Sequence, residues 1–229
     1  VGRDDRRFSP NCWRTRAALA HKRLPYETVP TRFGDIPQLG ASAGDDGIRT
    51  LPTIRDGAVW MSDSDAIARH LEDSRPDGPS LYGGAGGRMT AEFVRSWTQV
   101  TLHAQIARLV ALDIHDHLAD DDERAYFRRT RAPLYGGRLE EIVAGREARI
   151  PAFRTSLEPL RVMLRVQSFI GGDTPLYPDY MILGAFQWAR TISPFARELL
   201  AADDPLRDYL ERLMDLHDGL ARQAVGYGL

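Results

Sequence analysis

The strongest constraint on the fold is a change of sequence pattern at residues 75–87, a stretch with two prolines and five glycines. Before this stretch, short helical and extended segments alternate, and a hairpin signal surrounds Asp56-Gly57. After it, apolar residues recur at helical spacing almost to the end of the chain. The sequence therefore predicts a small α/β unit, a linker and an all-helical bundle, in that order.

The elements expected in the first unit are bounded by prolines, glycines and capping residues. A helix is predicted over Pro10–Arg23 and a short strand over Tyr26–Val29. A mostly irregular segment over Thr31–Gly47 follows, and then the hairpin, whose Asp-Gly pair suits a two-residue turn. A helix over Ser64–Ser74, with Ser64 as its cap, completes the unit.

The second unit is predicted to be helical throughout. Its first long helix should bury one apolar face, made of Phe93, Trp97, Val100, Ala104, Ala107 and Ala111. The further helices are a charged one over Glu123–Val143, a shorter one over Leu157–Val166, a strongly apolar one over Asp179–Ala189, and a last one that begins after Asp204-Pro205. The apolar helix is expected at the centre of the bundle.

Composition excludes several classes of function. The 30 basic and 32 acidic residues give a net charge of −2, whereas a nucleic-acid partner requires a basic field. No apolar run is long enough to cross a membrane, and no secretory signal pattern is present. The single cysteine, Cys12, fits a reducing compartment. We expect a cytoplasmic protein with a real hydrophobic core.

Three features of the first unit point to one ligand. Ser9-Pro10 opens a helix whose free N–H groups favour an anion, such as a thiolate. The Leu51-Pro52 bond can be cis and present a backbone edge to an extended peptide. Asp63-Ser64 begins another helix and suits the charged head group of an amino acid. A thiol, a peptide backbone and an amino-acid head group together describe glutathione.

Further segments resemble those of the glutathione transferases. The matching segments are Ser9–Arg16 (the active-site signature of serine-type members), Leu51–Ile54 (the cis-proline segment), Asp63–Ile67 (the segment holding the γ-glutamyl end) and Gly171–Tyr180 (the folding motif). Arg138–Glu140, Ala144–Glu147 and Asp204–Asp208 make the chain most similar to the bacterial β-etherases, which cleave β-aryl ethers in lignin fragments.

The resemblance implies a fold, a reaction and a set of site residues. The fold is a thioredoxin-like α/β domain over residues 1–78 followed by an all-α helical-bundle domain over residues 88–229. Glutathione is the co-substrate of a homodimer, and its thiolate attacks a small hydrophobic, aromatic electrophile; no metal is expected. The residues assigned to the thiolate are Ser9 and Asn11, and those assigned to glutathione binding are Arg49, Leu51, Pro52, Asp63 and Ser64.

Three departures from the family pattern stand out, and the first two favour a second hypothesis. Because the sequence begins at Val1-Gly2, we expect the strand that normally precedes the catalytic turn to be absent or truncated. Leu176 stands where a serine or threonine usually caps the central helix, and Thr50 stands where a basic residue often precedes the cis-proline pair, with Arg49 one residue earlier. The alternative is a non-catalytic glutathione-binding or protein-interaction module on the same fold.

Several residues near the first helix allow two interpretations. Ser9 is either the thiolate ligand or an ordinary helix cap. Asn11 either offers its amide to the thiolate or stabilises the turn. Cys12 is either a nucleophile activated by the helix end or an inert, buried thiol. Arg14 and Arg16 either steer an anionic ligand or are simply solvated.

Two further clusters lie in the helical unit. The histidines of Asp113–His117 are two residues apart and would point to different faces of a helix, which argues against a metal site. Candidates for the pocket of the electrophile lie on the first long helix: Trp97, Thr101, His103 and Arg108. Helical spacing alone does not separate pocket from core at these positions.

Overall fold

The computed structural model describes residues 1–44, 48 and 50–229, and helices dominate it. The strands are β1 (Thr53–Asp56) and β2 (Val59–Ser62). The α-helices are α1 (Pro10–His21), α2 (Ile36–Ala43), α3 (Ser64–Ser74), α4 (Ala85–Trp97), α5 (Ala104–Asp116), α6 (Asp121–Tyr135), α7 (Leu139–Val143), α8 (Ile150–Ser156), α9 (Glu158–Leu164), α10 (Tyr177–Ile192) and α11 (Leu206–Gly219). A π-helix, Thr98–His103, joins α4 to α5. The predicted order, a small α/β unit and then a helical bundle, is confirmed.

The hairpin forms where the sequence predicts it, with its turn shifted by one residue. Asp56 pairs with Val59, so the loop residues are Gly57 and Ala58 rather than Asp56-Gly57. Gly57 has φ +60°, which glycine adopts without steric cost. Among the described residues the sheet consists of β1 and β2 alone, and residues 3–5 form a short 3₁₀ helix.

Two segments of the first unit differ from the prediction. Tyr26–Val29 is not a strand, because no strand of the described residues pairs with it, and Val29 is exposed. The helix α2 forms inside the segment that was expected to be mostly irregular. Its capping signals outweigh its weak periodicity, since Pro37 lies in the first turn and Gly44 ends the helix in the left-handed conformation.

Asp63, and not Ser64, caps α3. The carboxylate of Asp63 accepts hydrogen bonds from the backbone N–H groups of Asp65 (2.9 Å) and Ala66 (2.8 Å). Ser64 is the first helical residue and is only 4% exposed. The predicted bounds of this helix and the burial of Ile67 are confirmed.

The helix α10 is the centre of the molecule, as its apolar sequence predicts. All its residues except Arg190 are buried. The first turn of α1 lies directly against it: a Cβ atom on Gly184 would lie 2.4 Å from the carbonyl oxygen of Pro10. Only a glycine permits this approach, so Gly184 determines where the N-terminus of α1 lies.

Asp179 ties the start of α10 to the loop before it. Its fully buried carboxylate accepts hydrogen bonds from the N–H groups of Ile170 (2.7 Å), Gly171 (3.1 Å) and Leu176 (2.9 Å) and from the hydroxyl of Tyr209 (2.8 Å). Burial raises the pKa of Asp179, and these hydrogen bonds oppose that effect. The turn is therefore held without a capping side chain at Leu176.

The long first helix of the bundle differs from the prediction in register. Phe93 and Val100, predicted on the buried face, are 73% and 72% exposed. The reason is the π-helix Thr98–His103. Its wider turn contains an extra residue, which rotates the side chains of α4 relative to those of α5 about the common helix axis. Beyond this segment Ala104 is also exposed, contrary to the prediction, whereas Ala107 and Ala111 are buried, as predicted.

The later helices agree with the prediction in type and differ in length. The single helix expected over Glu123–Val143 is split into α6 and α7, because Gly136 at φ +95° ends α6. The helix expected over Leu157–Val166 is α9, which ends two residues earlier. Asp204 accepts the N–H of Leu206 (3.0 Å) and so caps α11, as predicted. Within the described part of the chain, every helix is too short or too polar to span a lipid bilayer.

Candidate functional site

A cavity of about 1600 Å³ lies between the first turn of α1 and the helical bundle. Typical small-molecule sites measure about 300–1000 Å³. This cavity is larger because it continues between α1, β1 and α3, past Leu19, Ile54 and Leu71. The part that matters chemically is bounded by the polar start of α1 and by aromatic side chains of the bundle.

Ser9 is both the cap of α1 and part of the cavity wall. Its Oγ accepts the backbone N–H of Cys12 at 3.2 Å. A hydroxyl has one proton to donate besides its acceptor lone pairs, so capping does not consume its donor. The two interpretations of Ser9 are thus compatible: the same hydroxyl can cap the helix and donate to an anion held at the helix end.

Neighbouring side chains on α1 are less suited to hold an anion. Burial raises the pKa of the Cys12 thiol, which disfavours a nucleophilic thiolate at neutral pH. Arg14 is buried and pairs with Asp65, with 3.6 Å between Nη1 and Oδ2. Arg16 lies over the indole of Trp13, 4.4 Å from the ring centroid. Neither arginine is the freely solvated side chain that sequence analysis considered.

The structure brings together some of the predicted site residues. Asn11, Leu51 and Pro52 line the same cavity as Ser9, and the Leu51–Pro52 bond is cis, as predicted. The cavity wall does not include Asp63 or Ser64, which lie at the start of α3. Arg49 lies outside the described residues.

One wall of this cavity is aromatic and was not predicted from the sequence. Its members come from the segment before α2, from α6 and from α10: Phe33, Tyr126, Phe127, Tyr135 and Trp188. Phe33 stacks on Tyr126 with 5.5 Å between ring centroids. The adjacent aromatic residues Tyr126 and Phe127 were the only sign of this wall in the sequence. Without knowledge of where Phe33 lies, such a pair is equally typical of a hydrophobic core.

The four pocket candidates on the first long helix divide into two groups. His103 and Arg108 line the cavity, whereas Trp97 and Thr101 do not. The π-helix explains this division, because it turns His103 towards the face that continues into α5. A regular helix would have placed these four residues differently.

Glu123 joins the two units beside the aromatic wall. It is buried, and its carboxylate accepts the N–H groups of Phe33 (3.2 Å) and Gly34 (2.8 Å). Glu123 lies in the first turn of α6. Asp120 caps this helix, and its side chain accepts the backbone N–H of Glu123 at 2.9 Å. This contact holds Phe33 against α6.

The acidic and histidine-containing segment of α5 has structural partners. Asp113 pairs with Arg146 at 2.6 Å, and Nε2 of His117 lies 3.1 Å from the hydroxyl of Tyr227. Among the described residues no cluster of three potential metal ligands occurs.

Comparison with known families identifies the architecture. The profile of the glutathione S-transferase C-terminal domain matches residues 90–216, more than half of the chain, and that of the N-terminal domain matches residues 5–80. The chain belongs to the glutathione S-transferase family. Its thioredoxin-like first unit with a small sheet and its helical second unit are the two domains of this family.

The chain is similar to glutathione transferases and related proteins of Aspergillus flavus, Ceriporiopsis subvermispora and Phanerochaete chrysosporium. It is 26% identical to the glutathione S-transferase-like protein ustS of Aspergillus flavus over 206 residues, covering 80% of this chain and 74% of that protein. A transferase of Ceriporiopsis subvermispora, solved in complex with glutathione, is 27% identical, with a TM-score of 0.76 and 92% and 90% of the two chains covered. GSTFuA3 of Phanerochaete chrysosporium is 26% identical, with a TM-score of 0.73 and coverage of 95% and 89%.

Proposed function

We propose that this transferase joins the thiolate of glutathione to hydrophobic, aromatic electrophiles, and that Ser9 holds the thiolate. The observation that carries the proposal is the geometry of Ser9. Its Oγ accepts the N–H of Cys12 and keeps a proton to donate, at the positive end of a 12-residue helix that faces the cavity. Family membership and the glutathione complex of a relative 27% identical to this chain support glutathione as co-substrate.

In the proposed reaction, glutathione first loses its thiol proton to solvent. The thiolate then attacks an electrophilic carbon, a sulfur–carbon bond forms, and the leaving group departs with the electron pair of the broken bond. A hydrogen bond to an anion contributes about 1.5–3 kcal/mol, so Ser9 would lower the thiol pKa by about one to two units. More thiolate is then present at neutral pH.

The remaining contacts to glutathione are proposed from the resemblance and from position. Asn11, Leu51 and Pro52 share the cavity with Ser9, which supports contacts to the thiol region and the peptide backbone. Asp63 and Ser64, at the start of α3, are proposed to hold the γ-glutamyl end through the N–H groups and the carboxylate there.

The aromatic wall of the cavity supports an aromatic electrophile. Phe33, Tyr126 and Trp188 offer ring faces and edges to a bound ring. The resemblance to the β-etherases favours one specific reaction, the cleavage of a β-aryl ether with a phenolate as leaving group. Such a reaction would belong to the degradation of aromatic compounds in the cytoplasm.

Substitutions of Ser9 test the proposal. With 1-chloro-2,4-dinitrobenzene and with a β-aryl ether as electrophiles, Ser9→Ala should lower kcat/KM about 10- to 100-fold, from the loss of one charged hydrogen bond. Ser9→Gly is the matched control for the lost helix cap, since glycine costs a cap only a few tenths of a kcal/mol. Ser9→Thr keeps the hydroxyl and should retain activity.

The outcomes separate the alternatives. Full turnover in both Ser9→Ala and Ser9→Gly would move the role to Asn11, to Cys12 or to backbone N–H groups. Tight glutathione binding without turnover of either electrophile would instead support the non-catalytic module. The lack of a capping side chain at Leu176 no longer favours that module, because Asp179 holds the turn by itself.

We also propose a homodimer. Met89, Phe93 and Val100 are largely exposed along α4 and the following π-helix, next to the linker. An exposed apolar ridge of this kind is typical of a protein interface. Sedimentation should give a dimer for the wild type and a monomer for Phe93→Glu, whereas Val166→Glu, at an exposed apolar position outside the ridge, should remain dimeric.

A further inference from the structure

His103 is a polar side chain in the cavity wall whose hydrogen bonding is incomplete. It is 8% exposed, and its Nε2 has no hydrogen-bond partner in the part of the chain that the structure describes. Its ring meets the indole of Trp188 edge-on, with 5.8 Å between ring centroids, and Trp188 lines the same cavity. A buried polar nitrogen without a partner costs free energy, so its presence needs an explanation.

Contacts of α10 connect His103 with the turn that bears Ser9. Gly184 touches the carbonyl of Pro10, and Trp188 is one helical turn further along the same face of α10. His103 packs on Trp188 from the π-helix. Ser9, His103 and Trp188 therefore line one cavity and are connected through α10.

The imidazole of His103 is neutral. Burial, with a smaller contribution from the positive charge of Arg14, lowers its pKa to about 3. A neutral imidazole has one N–H donor and one acceptor nitrogen. The nearby charge of Arg14 favours an electron-rich partner, and an oxygen atom that accepts the N–H satisfies this condition.

We propose that His103 donates a hydrogen bond to an oxygen acceptor on the aromatic electrophile, such as a carbonyl or ether oxygen, and thereby selects oxygen-bearing rings over plain hydrocarbons. This inference rests on the proposed function in one respect: it takes the molecule bound in the cavity to be the electrophile. Its physical basis is that a site with a buried donor rejects a ligand that leaves the donor unpaired. His103 is thus a specificity residue of the cavity.

Binding of two unreactive probes tests the inference without any chemical step. Acetophenone and ethylbenzene have the same ring and nearly the same shape, and only the first carries an oxygen acceptor. Their affinities are measured by quenching of tryptophan fluorescence in wild type, His103→Phe and His103→Gln, all saturated with glutathione. Phenylalanine keeps an aromatic edge against Trp188, and glutamine keeps an N–H donor.

The wild type should bind acetophenone about five- to tenfold more tightly than His103→Phe does, as one hydrogen bond predicts. Ethylbenzene should change by less than about twofold, and His103→Gln should recover most of the affinity for acetophenone. Equal losses for both probes, no loss for acetophenone, or no saturable binding of acetophenone to the wild type would overturn the inference.

A turnover experiment separates this inference from the proposed function. With 2-chloroacetophenone and benzyl chloride, the His103→Phe loss in kcat/KM should be confined to the ketone. If the wild type turns over neither electrophile but acetophenone binding still depends on His103, the proposed transferase reaction fails and the oxygen-accepting role of the pocket stands. If turnover is intact and does not depend on His103, only the inference fails.

Discussion

The contact between Gly184 and Pro10 predicts the effect of adding a single methyl group. In Gly184→Ala the new Cβ would lie 2.4 Å from the carbonyl oxygen of Pro10, about 1 Å short of ordinary van der Waals contact. The new Cβ is attached directly to the backbone of α10, and the carbonyl oxygen belongs to the backbone of α1. Neither atom can rotate away, so α1 has to move away from α10. Overpacking of this kind costs about 1–3 kcal/mol, and the better helix propensity of alanine offsets about 0.5–1 kcal/mol. We expect a net destabilisation of about 1–2 kcal/mol.

The same movement should affect function, because the displaced turn carries Ser9. A displacement near 1 Å at a reacting group can lower the rate by up to about 100-fold. We therefore expect Gly184→Ala to lower kcat/KM with 1-chloro-2,4-dinitrobenzene at least tenfold, beyond what its loss of stability explains.

Gly86→Ala is the matched control. Gly86 is also helical, and a Cβ there would meet nothing within 4 Å. This variant should be as stable as the wild type or more stable by up to about 1 kcal/mol, and fully active. Guanidinium chloride unfolding and steady-state kinetics measure both effects. If Gly184→Ala proves as stable and as active as Gly86→Ala, the position assigned to the catalytic turn is wrong.

Three further predictions concern buried polar groups. Asp179→Asn should lower the free energy of unfolding by about 3 kcal/mol in urea titrations, because the amide turns an NH₂ donor towards donors that the carboxylate accepted; a loss below about 1 kcal/mol would contradict this. The pKa of His103 is 6.5 in the unfolded chain and about 3 in the folded protein. Below pH 6.5 the unfolded chain therefore binds more protons than the folded protein, and the free energy of unfolding decreases as the pH is lowered. Between pH 6.5 and 4 the wild type should lose about 3 kcal/mol more than His103→Gln; parallel losses would show that His103 is protonated in the folded protein. Glu123→Gln should speed hydrogen exchange at the Gly34 amide, whereas Glu141→Gln, at an exposed carboxylate, should not.

The elements that sequence analysis located correctly are those whose signals are local. The hairpin at Gly57, the cap at Asp204 and the apolar helix α10 each depend on residues within one or two turns. The resemblance of the Ser9 segment to a known signature added the chemistry. Agreement at this level needs no knowledge of which segments meet in three dimensions.

The features that were missed depend on distant contacts or on a change of helix type. The π-helix before α5 rotated the predicted face, so Phe93 became exposed while His103 faced the cavity. The strand expected at Tyr26–Val29 would have required a neighbouring strand to pair with. Phe33 joins the aromatic wall through distant partners, among them Glu123, 90 residues away, which accepts its backbone N–H. No local pattern encodes that pairing.

The pKa of the thiol of bound glutathione tests the central claim most directly. Ultraviolet absorption of the thiolate, followed as a function of pH in the complex with the full chain, reports this pKa. We expect a value at least one unit below that of free glutathione in the wild type and a rise of about one to two units in Ser9→Ala. A bound thiol that titrates like free glutathione, or identically in the two proteins, would contradict the role assigned to Ser9.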